Sequence, residues 1–260
     1  MELGSGTRAL VTGASRGIGE SLARAFAGRG CTVGLVSRSH DELKALAASL
    51  PGGSHEALTA DVGDRDSVGT AIGRFGELDV LVANAGIAYY QPFQELPLER
   101  AEQMTRVNWL GTLYSIDAAL PGMLERGRGH VVVVSSGAGF RAFPRASVYG
   151  ATKAAQRAFS EALRHELADT GVSVTTVFPG EIRSRLHAHE RDQMPDWYRS
   201  EDAGDPDELA RRVVEAVERD RRALHFPAIV RLLGAAHGIS PRVSDAMLRV
   251  LRGRSAAPRA

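Results

Sequence analysis

A regular exchange between two hydrophobic periods constrains this chain more than any other feature. Short apolar runs with the two-residue repeat of a strand alternate throughout with stretches that repeat every three to four residues. Arg8–Thr12, Thr32–Ser37, Ala57–Ala60, Leu78–Ala83, Val131–Val134 and Val172–Phe178 read as strands, with one more near Leu224. Between them lie helical stripes: Ile18, Leu22, Ala25 and Phe26; Leu43, Leu46, Ala47 and Leu50; Val68, Ile72 and Phe75; Leu209, Val213 and Val217. Longer helical regions cover Leu98–Glu125 and Val148–Ala168. Gly30 supplies a helix stop, and Ser39 with Glu42 has capping-box spacing. Four consecutive valines at 131–134 fit a strand covered on both faces. Strands separated by helices pair in parallel through right-handed crossovers, which predicts an α/β fold with a doubly wound parallel sheet of about seven strands and helices on both faces, a three-layer α/β/α arrangement. Neither a repeat nor a linker divides the chain, so residues 1–260 read as one domain, with a lid at about 181–206 and an amphipathic extension at about 226–252.

Composition removes several function classes. An apolar share of 43% argues against intrinsic disorder, and 32 basic against 31 acidic residues give no support to a nucleic-acid partner. Cys31 is the single cysteine, which leaves no intrachain disulfide and no thiolate metal cluster, and no metal is expected. The N-terminal residues have no apolar stretch resembling a signal peptide. The run from Phe226 to Gly238 is interrupted by Arg231 and His237 and is too short to span a bilayer. The expectation is a soluble, cytoplasmic protein.

Two patterns carry chemistry. The first strand runs into Thr12-Gly13-Ala14-Ser15-Arg16-Gly17-Ile18-Gly19, which opens a helix. Glycines there let the backbone approach a pyrophosphate, and the helix start favours its negative charge. The second pattern is Tyr149-Gly150-Ala151-Thr152-Lys153, which on a helix puts a phenol and an ammonium on one face. A unit charge about 4 Å from a phenol, at an effective dielectric near 20, supplies about 4 kcal/mol, enough to lower its pKa by about three units. Lys44 and Lys153 are the only lysines among the basic residues. A chain that otherwise uses arginine therefore has the compact, flexible ammonium at this position.

With its Gly-x-x-x-Gly-x-Gly turn, the Tyr-x-x-x-Lys pair and Pro179-Gly180, the sequence resembles the short-chain dehydrogenase/reductase family, in its single-domain, Rossmann-type subgroup. The resemblance implies a catalytic set of Ser136, Tyr149, Lys153 and Asn108, with Ser136 rather than Ser135 on the substrate oxygen. Asn108 would hold a water that links Lys153 to solvent. Cofactor contacts are implied for Gly13, Ser15, Arg16, Gly17, Ile18 and Gly19, for Asp61-Val62 at the adenine, and for Asn84-Ala85-Gly86 beside the ribose. Tyr149 and Lys153 are implied at the nicotinamide end, together with Pro179, Gly180, Ile182 and Ser184, a serine where the family commonly has threonine. Asp61 could instead cap the next helix, a role for which Asp64 is an equal candidate. At the end of the second strand stands Ser37-Arg38-Ser39, with no carboxylate to hold ribose hydroxyls. With Arg16 in the glycine turn, these groups suit a 2′-phosphate, so NADP(H) is expected over NAD(H).

Aromatic residues fall where a substrate pocket is expected: Tyr89, Tyr90, Phe93, Phe140, Phe143, and Trp197 and Tyr198 with Met194 in the lid. They suggest a mostly apolar ketone, aldehyde or secondary alcohol. The resemblance also implies self-association as a homodimer or homotetramer through the long helices. The amphipathic tail could pack on the domain, on another subunit or, as the less favoured reading, on a membrane surface. The rival functions are a non-catalytic NADP-binding sensor, which would not need the full Ser, Tyr, Lys and Asn set, and an epimerase or dehydratase, which needs a larger substrate domain.

Overall fold

In a computed structural model that describes residues 1–183 and 203–242, seven strands form one parallel sheet. They are β1 (Arg8–Thr12), β2 (Thr32–Ser37), β3 (Glu56–Thr59), β4 (Val80–Ala83), β5 (Gly129–Val134), β6 (Val172–Pro179) and β7 (Ala223–Phe226). Their order is β3-β2-β1-β4-β5-β6-β7, so the winding reverses between β1 and β4. A ligand crevice opens at such a reversal, beyond the carboxyl ends of the strands.

Alternation along each strand builds a core on both faces of the sheet. Ala9 and Val11 of β1, Val80 and Val82 of β4, and Val132 and Val134 of β5 face one side. There they meet α1 (Gly17–Gly28) through Leu22 and Phe26, α2 (His40–Ser49) through Leu43 and Leu46, and α7 (Pro206–Glu218) through Leu209, Val213 and Val217. Leu10, Leu81, Val131 and Val133 face the other side. Their partners are Val68, Ile72 and Phe75 of α3 (Arg65–Phe75), Ile116 and Met123 of α5 (Gly111–Arg126), and Leu163 of α6 (Ser147–Glu166). Gly34 in β2 admits the Phe75 ring, whose carbons lie 2.9 Å from where a Cβ would stand.

Two local features differ from the sequence expectation. The stretch Leu98–Glu125 is not one helix: α4 (Leu98–Met104) passes through a π-helical turn, Thr105–Leu110, into α5. Asn108 within that turn is fully buried and bonds both backbone groups of Ile87, so a tertiary contact offsets the extra residue in the helix. Ser39 does precede α2, but its side chain forms no cap bond. The Ser37 hydroxyl instead accepts the Ser39 N–H at 3.1 Å and closes the turn.

Of the expected lid, residues 184–202 lie outside the described residues. Its two ends are tied together: Arg183 N donates to Gly204 O at 3.0 Å, and Gly204 N donates to Glu181 O at 2.9 Å. After β7 comes α8 (Ile229–Ile239), and the tail beyond residue 242 also lies outside the described residues. Among the described residues no helix is long and apolar enough to cross a membrane.

Candidate active site

A cleft of about 380 Å³ lies over the β1/β4 reversal. Its floor is the glycine turn. Gly13 and Gly17 have φ of 68° and 58°, a region that disfavours side chains. A Cβ on Gly19 would sit 2.0 Å from the Gly13 carbonyl oxygen and 2.8 Å from Asn84 Nδ2. The residue before α1 is Arg16, whose side chain gives the helix no cap bond. The first N–H groups of α1 are therefore left for an anion. The wall opposite is fastened to this turn by Thr12. Its hydroxyl accepts from Asn84 N at 3.0 Å and Ala85 N at 3.1 Å, and Asn84 Nδ2 donates to Thr12 O at 2.9 Å. The sequence reading passed over Thr12, although a threonine closing an otherwise apolar strand was the available signal.

Every described residue expected to hold the dinucleotide lines this cleft, from Gly13 and Arg16 through Ser37, Arg38 and Ser39 to Asp61, Val62 and Ile182. Ser184 lies outside the described residues. Arg16 and Arg38 are both exposed, and neither makes an ion pair among the described residues. Asp61 turns its own loop, accepting from Gly63 N at 2.9 Å, whereas Asp64 caps α3 by accepting from Ser67 N at 2.9 Å. Of the two aspartates, Asp64 is the cap.

The other end of the cleft gathers the polar side chains buried at the carboxyl end of β5 and the start of α6. Ser136, in extended backbone after β5, accepts from Ala138 N at 3.1 Å, and its own O–H reaches Pro179 O only at 3.5 Å. Its neighbour Ser135 has a different task, donating to Lys153 O at 2.8 Å and pinning α6 to the strand. Tyr149 stands in the first turn of α6, hydrogen-bonded to Ser136. Burial pushes its phenol up to about 12 against the pull of that bond. Lys153, one turn on, donates from Nζ to Val134 O at 2.9 Å, and burial brings it down to about 7. The depressed tyrosine expected from the Tyr-x-x-x-Lys spacing is therefore not found in the protein alone. Nζ is 5.8 Å from the Tyr149 ring centre, and loss of water opposes charge on both groups.

Asn108 reaches the same corner from the π turn. Its Oδ1 accepts from Ile87 N at 2.8 Å, and Nδ2 donates to Ile87 O at 2.9 Å and to Thr152 Oγ1 at 3.1 Å. A Cβ on Gly86 would lie 3.4 Å from Asn108 Oδ1 and 3.6 Å from Lys153 Nζ, which sets both side chains beside that glycine. Asn108's backbone oxygen is held by Gln156 Nε2 at 2.8 Å and Thr112 Oγ1 at 2.8 Å. Sequence reasoning missed Gln156, a fully buried polar side chain in the apolar stripe of α6.

The aromatic residues expected around the substrate are placed differently. Tyr90 is fully buried, stacked on Phe143 at 5.8 Å and edge-on to Tyr149 at 5.9 Å, so it and Phe143 support Tyr149 from behind. Phe140 is turned away by the 3₁₀ turn Gly137–Gly139 and packs on Phe178 at 4.4 Å and His225 at 5.6 Å. Phe93 is 65% exposed. Tyr89 donates to Gln103 Oε1 at 2.9 Å under the Arg100 guanidinium. None of these five lines the cleft, whereas Gln103 and Ile87, which had not been singled out, do. Met194, Trp197 and Tyr198 lie outside the described residues.

Comparison with known proteins agrees with this geometry. The sequence profile described as short chain dehydrogenase matches residues 7–195. The chain belongs to the short-chain dehydrogenase family. An uncharacterized oxidoreductase of Myxococcus xanthus is 40% identical over 201 residues, covering 75% of this chain and 79% of that protein. Glycine betaine reductase ATRR of Emericella nidulans is 37% identical over 83% of this chain, but the match spans only 18% of that much longer protein. Among solved structures of this family, a serine dehydrogenase complexed with NADP+ has TM-score 0.78 at 30% identity, covering 85% of this chain and 94% of that one. A 3-ketoacyl-(acyl-carrier-protein) reductase from Brucella melitensis, complexed with NADH, has TM-score 0.76 at 28% identity, covering 85% of this chain and 97% of that one. This short-chain dehydrogenase is thus an oxidoreductase whose structural neighbours include one complexed with NADP+ and one complexed with NADH.

Proposed function

We propose that the chain is an NADP(H)-dependent carbonyl reductase acting on a mostly apolar ketone or aldehyde, with the reverse oxidation of the alcohol on the same site. The observation that carries the cofactor preference is the adenosine end of the cleft. Arg16 and Arg38 line it together with Ser37 and Ser39, and the end of β2 offers no carboxylate. Two exposed guanidinium groups and two hydroxyls complement a dianionic 2′-phosphate, whereas an adenosine bearing only hydroxyls would leave both charges unmatched.

The glycine turn and the start of α1 would hold the diphosphate, Asn84–Gly86 and Lys153 the riboses, and Pro179–Ile182 the carboxamide. A bound nicotinamide supplies or accepts the hydride. The protein manages the proton. At neutral pH burial keeps Tyr149 protonated, the state in which it can protonate a carbonyl oxygen. Ser136, hydrogen-bonded to Tyr149, lies beside the phenol and can turn its O–H to the same substrate oxygen. Lys153 carries partial positive charge near pH 7 and gains it fully as the pH falls, which favours transfer of the phenolic proton and its return in the next cycle.

The apolar-substrate reading draws support from Ile87, Val107, Val134 and Ile182 in the cleft walls. Family resemblance supports self-association as a homodimer or homotetramer through α5 and α6. The deciding experiment is titration of the purified protein with NADPH and NADH, followed by reduction of a carbonyl panel graded in polarity. Tighter NADPH binding with turnover of apolar carbonyls is expected. Equal affinity for the two cofactors would remove the NADP assignment, and turnover confined to polar carbonyls would remove the substrate class.

A further inference from the structure

Helix α6 grips Asn108 at two points one helical turn apart. Thr152 Oγ1 accepts from Asn108 Nδ2 at 3.1 Å, and Gln156 Nε2 donates to the Asn108 backbone oxygen at 2.8 Å. Gln156 is fully buried, and its Nε2 also donates to Thr112 Oγ1 at 2.7 Å. The Thr112 hydroxyl in turn donates to the same Asn108 oxygen, which closes a ring of three hydrogen bonds. The other amide atom of Gln156, Oε1, is buried with no hydrogen-bond partner among the described residues. An unpartnered buried acceptor costs stability, and an apolar side chain of similar length would avoid that cost. What Gln156 contributes therefore lies in Nε2 and in what Nε2 holds.

Asn108 is held on every side. Its backbone oxygen takes two side-chain donors, Nδ2 has spent both protons on Ile87 O and Thr152 Oγ1, and Oδ1 takes Ile87 N. From here the bonds run to the cleft in two directions. Ile87 lines the cleft and follows Gly86, where a Cβ would lie 3.6 Å from Lys153 Nζ. Thr152 passes its own proton to Tyr149 O at 2.7 Å, so the second branch ends on the backbone of the residue that bears the phenol. Gln156 does not itself line the cleft. We infer that Gln156 is a positioning residue: by holding the Asn108 backbone to α6, it keeps the cleft wall at Ile87 in register with Tyr149 and Lys153. This rests on the reading of Tyr149 and Lys153 as the pair that handles the proton.

The test compares Gln156→Met and Gln156→Glu with the wild type in NADPH-dependent carbonyl reduction at acid, neutral and alkaline pH. Gln156→Met removes the donor and the unpartnered oxygen together. Its melting temperature is expected to stay at the wild-type value while kcat falls about tenfold at every pH. In Gln156→Glu a protonated carboxyl still offers an O–H to the Asn108 oxygen, and a carboxylate offers none. Burial favours the protonated form, so kcat is expected to match the wild type at acid pH and to fall to that of Gln156→Met at alkaline pH. Asn108 and Thr112, which face position 156 from the π turn and α5, are uncharged. Lys153, one turn earlier on α6, is common to all three proteins, so the ratio to wild type isolates residue 156. Wild-type kcat in Gln156→Met, a loss that follows a lowered melting temperature, or a ratio for Gln156→Glu that is flat with pH overturns the inference. Amide exchange at Ile87, whose N–H donates to Asn108 Oδ1, reads the same grip without turnover. It is expected to quicken at least about tenfold in Gln156→Met, with Val132 in β5 unchanged. Unchanged exchange at Ile87, or faster exchange at both positions, overturns the inference even where the wild type reduces no carbonyl, a failure that would separately remove the proposed reaction.

Discussion

Strand β5 buries a titratable or hydroxyl-bearing cluster at each of its ends, and the two ends serve different purposes. At the amino end His130 is almost fully buried, and its pKa is brought down to about 4 by loss of water. Its Nε2 meets Thr175 Oγ1 at 2.8 Å, and that hydroxyl donates onward to Arg221 O at 2.6 Å. Thr175 has therefore committed its proton, so His130 Nε2 is the donor and the imidazole is neutral. At the carboxyl end Ser136, Tyr149 and Lys153 are also buried, and burial displaces Tyr149 and Lys153 as it does His130, but all three line a cleft. Burial and a displaced pKa alone do not distinguish the two ends. A place on the wall of an open cleft does.

Substitutions can sharpen or break this contrast. Tyr149→Phe is expected to lower carbonyl reduction by about 10³-fold, about 4 kcal/mol, with NADPH binding and melting temperature unchanged. A melting temperature that fell with the activity would return the carboxyl end to structure. Gly19→Ala, which forces a Cβ onto the Gly13 carbonyl, is expected to weaken NADPH binding about 100-fold, about 3 kcal/mol, by fluorescence titration. His130→Val is expected to reverse the pattern: about 1–3 kcal/mol of stability lost at pH 7 by denaturant titration, with kcat per folded molecule kept. The unfolded chain binds the extra proton between pH 6.5 and 4, so the wild type loses about 3 kcal/mol through that window as the pH falls, and His130→Val should lose correspondingly less. Loss of kcat in that variant would couple the two ends. The smallest effect is expected for Arg38→Ala, about tenfold weaker NADPH binding with NADH unaffected, since the guanidinium is exposed and screened.

The scaffold was legible because it rests on local period. The bounds of β1 and β2 coincide with their apolar runs, and the faces of α3 and α7 are those that their stripes name. The glycine turn and the Tyr-x-x-x-Lys pair were legible because their chemistry demands fixed spacing within one element. What escaped depends on neighbours distant in the chain. Thr105–Leu110 has an ordinary helical composition, and only the bonds of Asn108 to Ile87, Thr152 and Gln156 show the inserted residue. Aromatic residues announce that they will be buried without saying against what. Phe140 is four residues beyond Ser136, yet one 3₁₀ turn sends it to β6 and β7.

The Thr12 fastener has a consequence in time as well as in space. The hydroxyl that closes the glycine turn finds its partners at Asn84 and Ala85, more than seventy positions further along the chain. A ribosome that has released only the first strand, its helix and the second strand has exposed the whole glycine turn and the Val36 O that holds Ala14 N, but not the Asn84 and Ala85 N–H groups that fasten it from the other side. The proposed dinucleotide site is complete only after β4 has emerged and paired with β1. On that proposal, cofactor capture would mark the arrival of β4 beside β1 in the middle of the sheet.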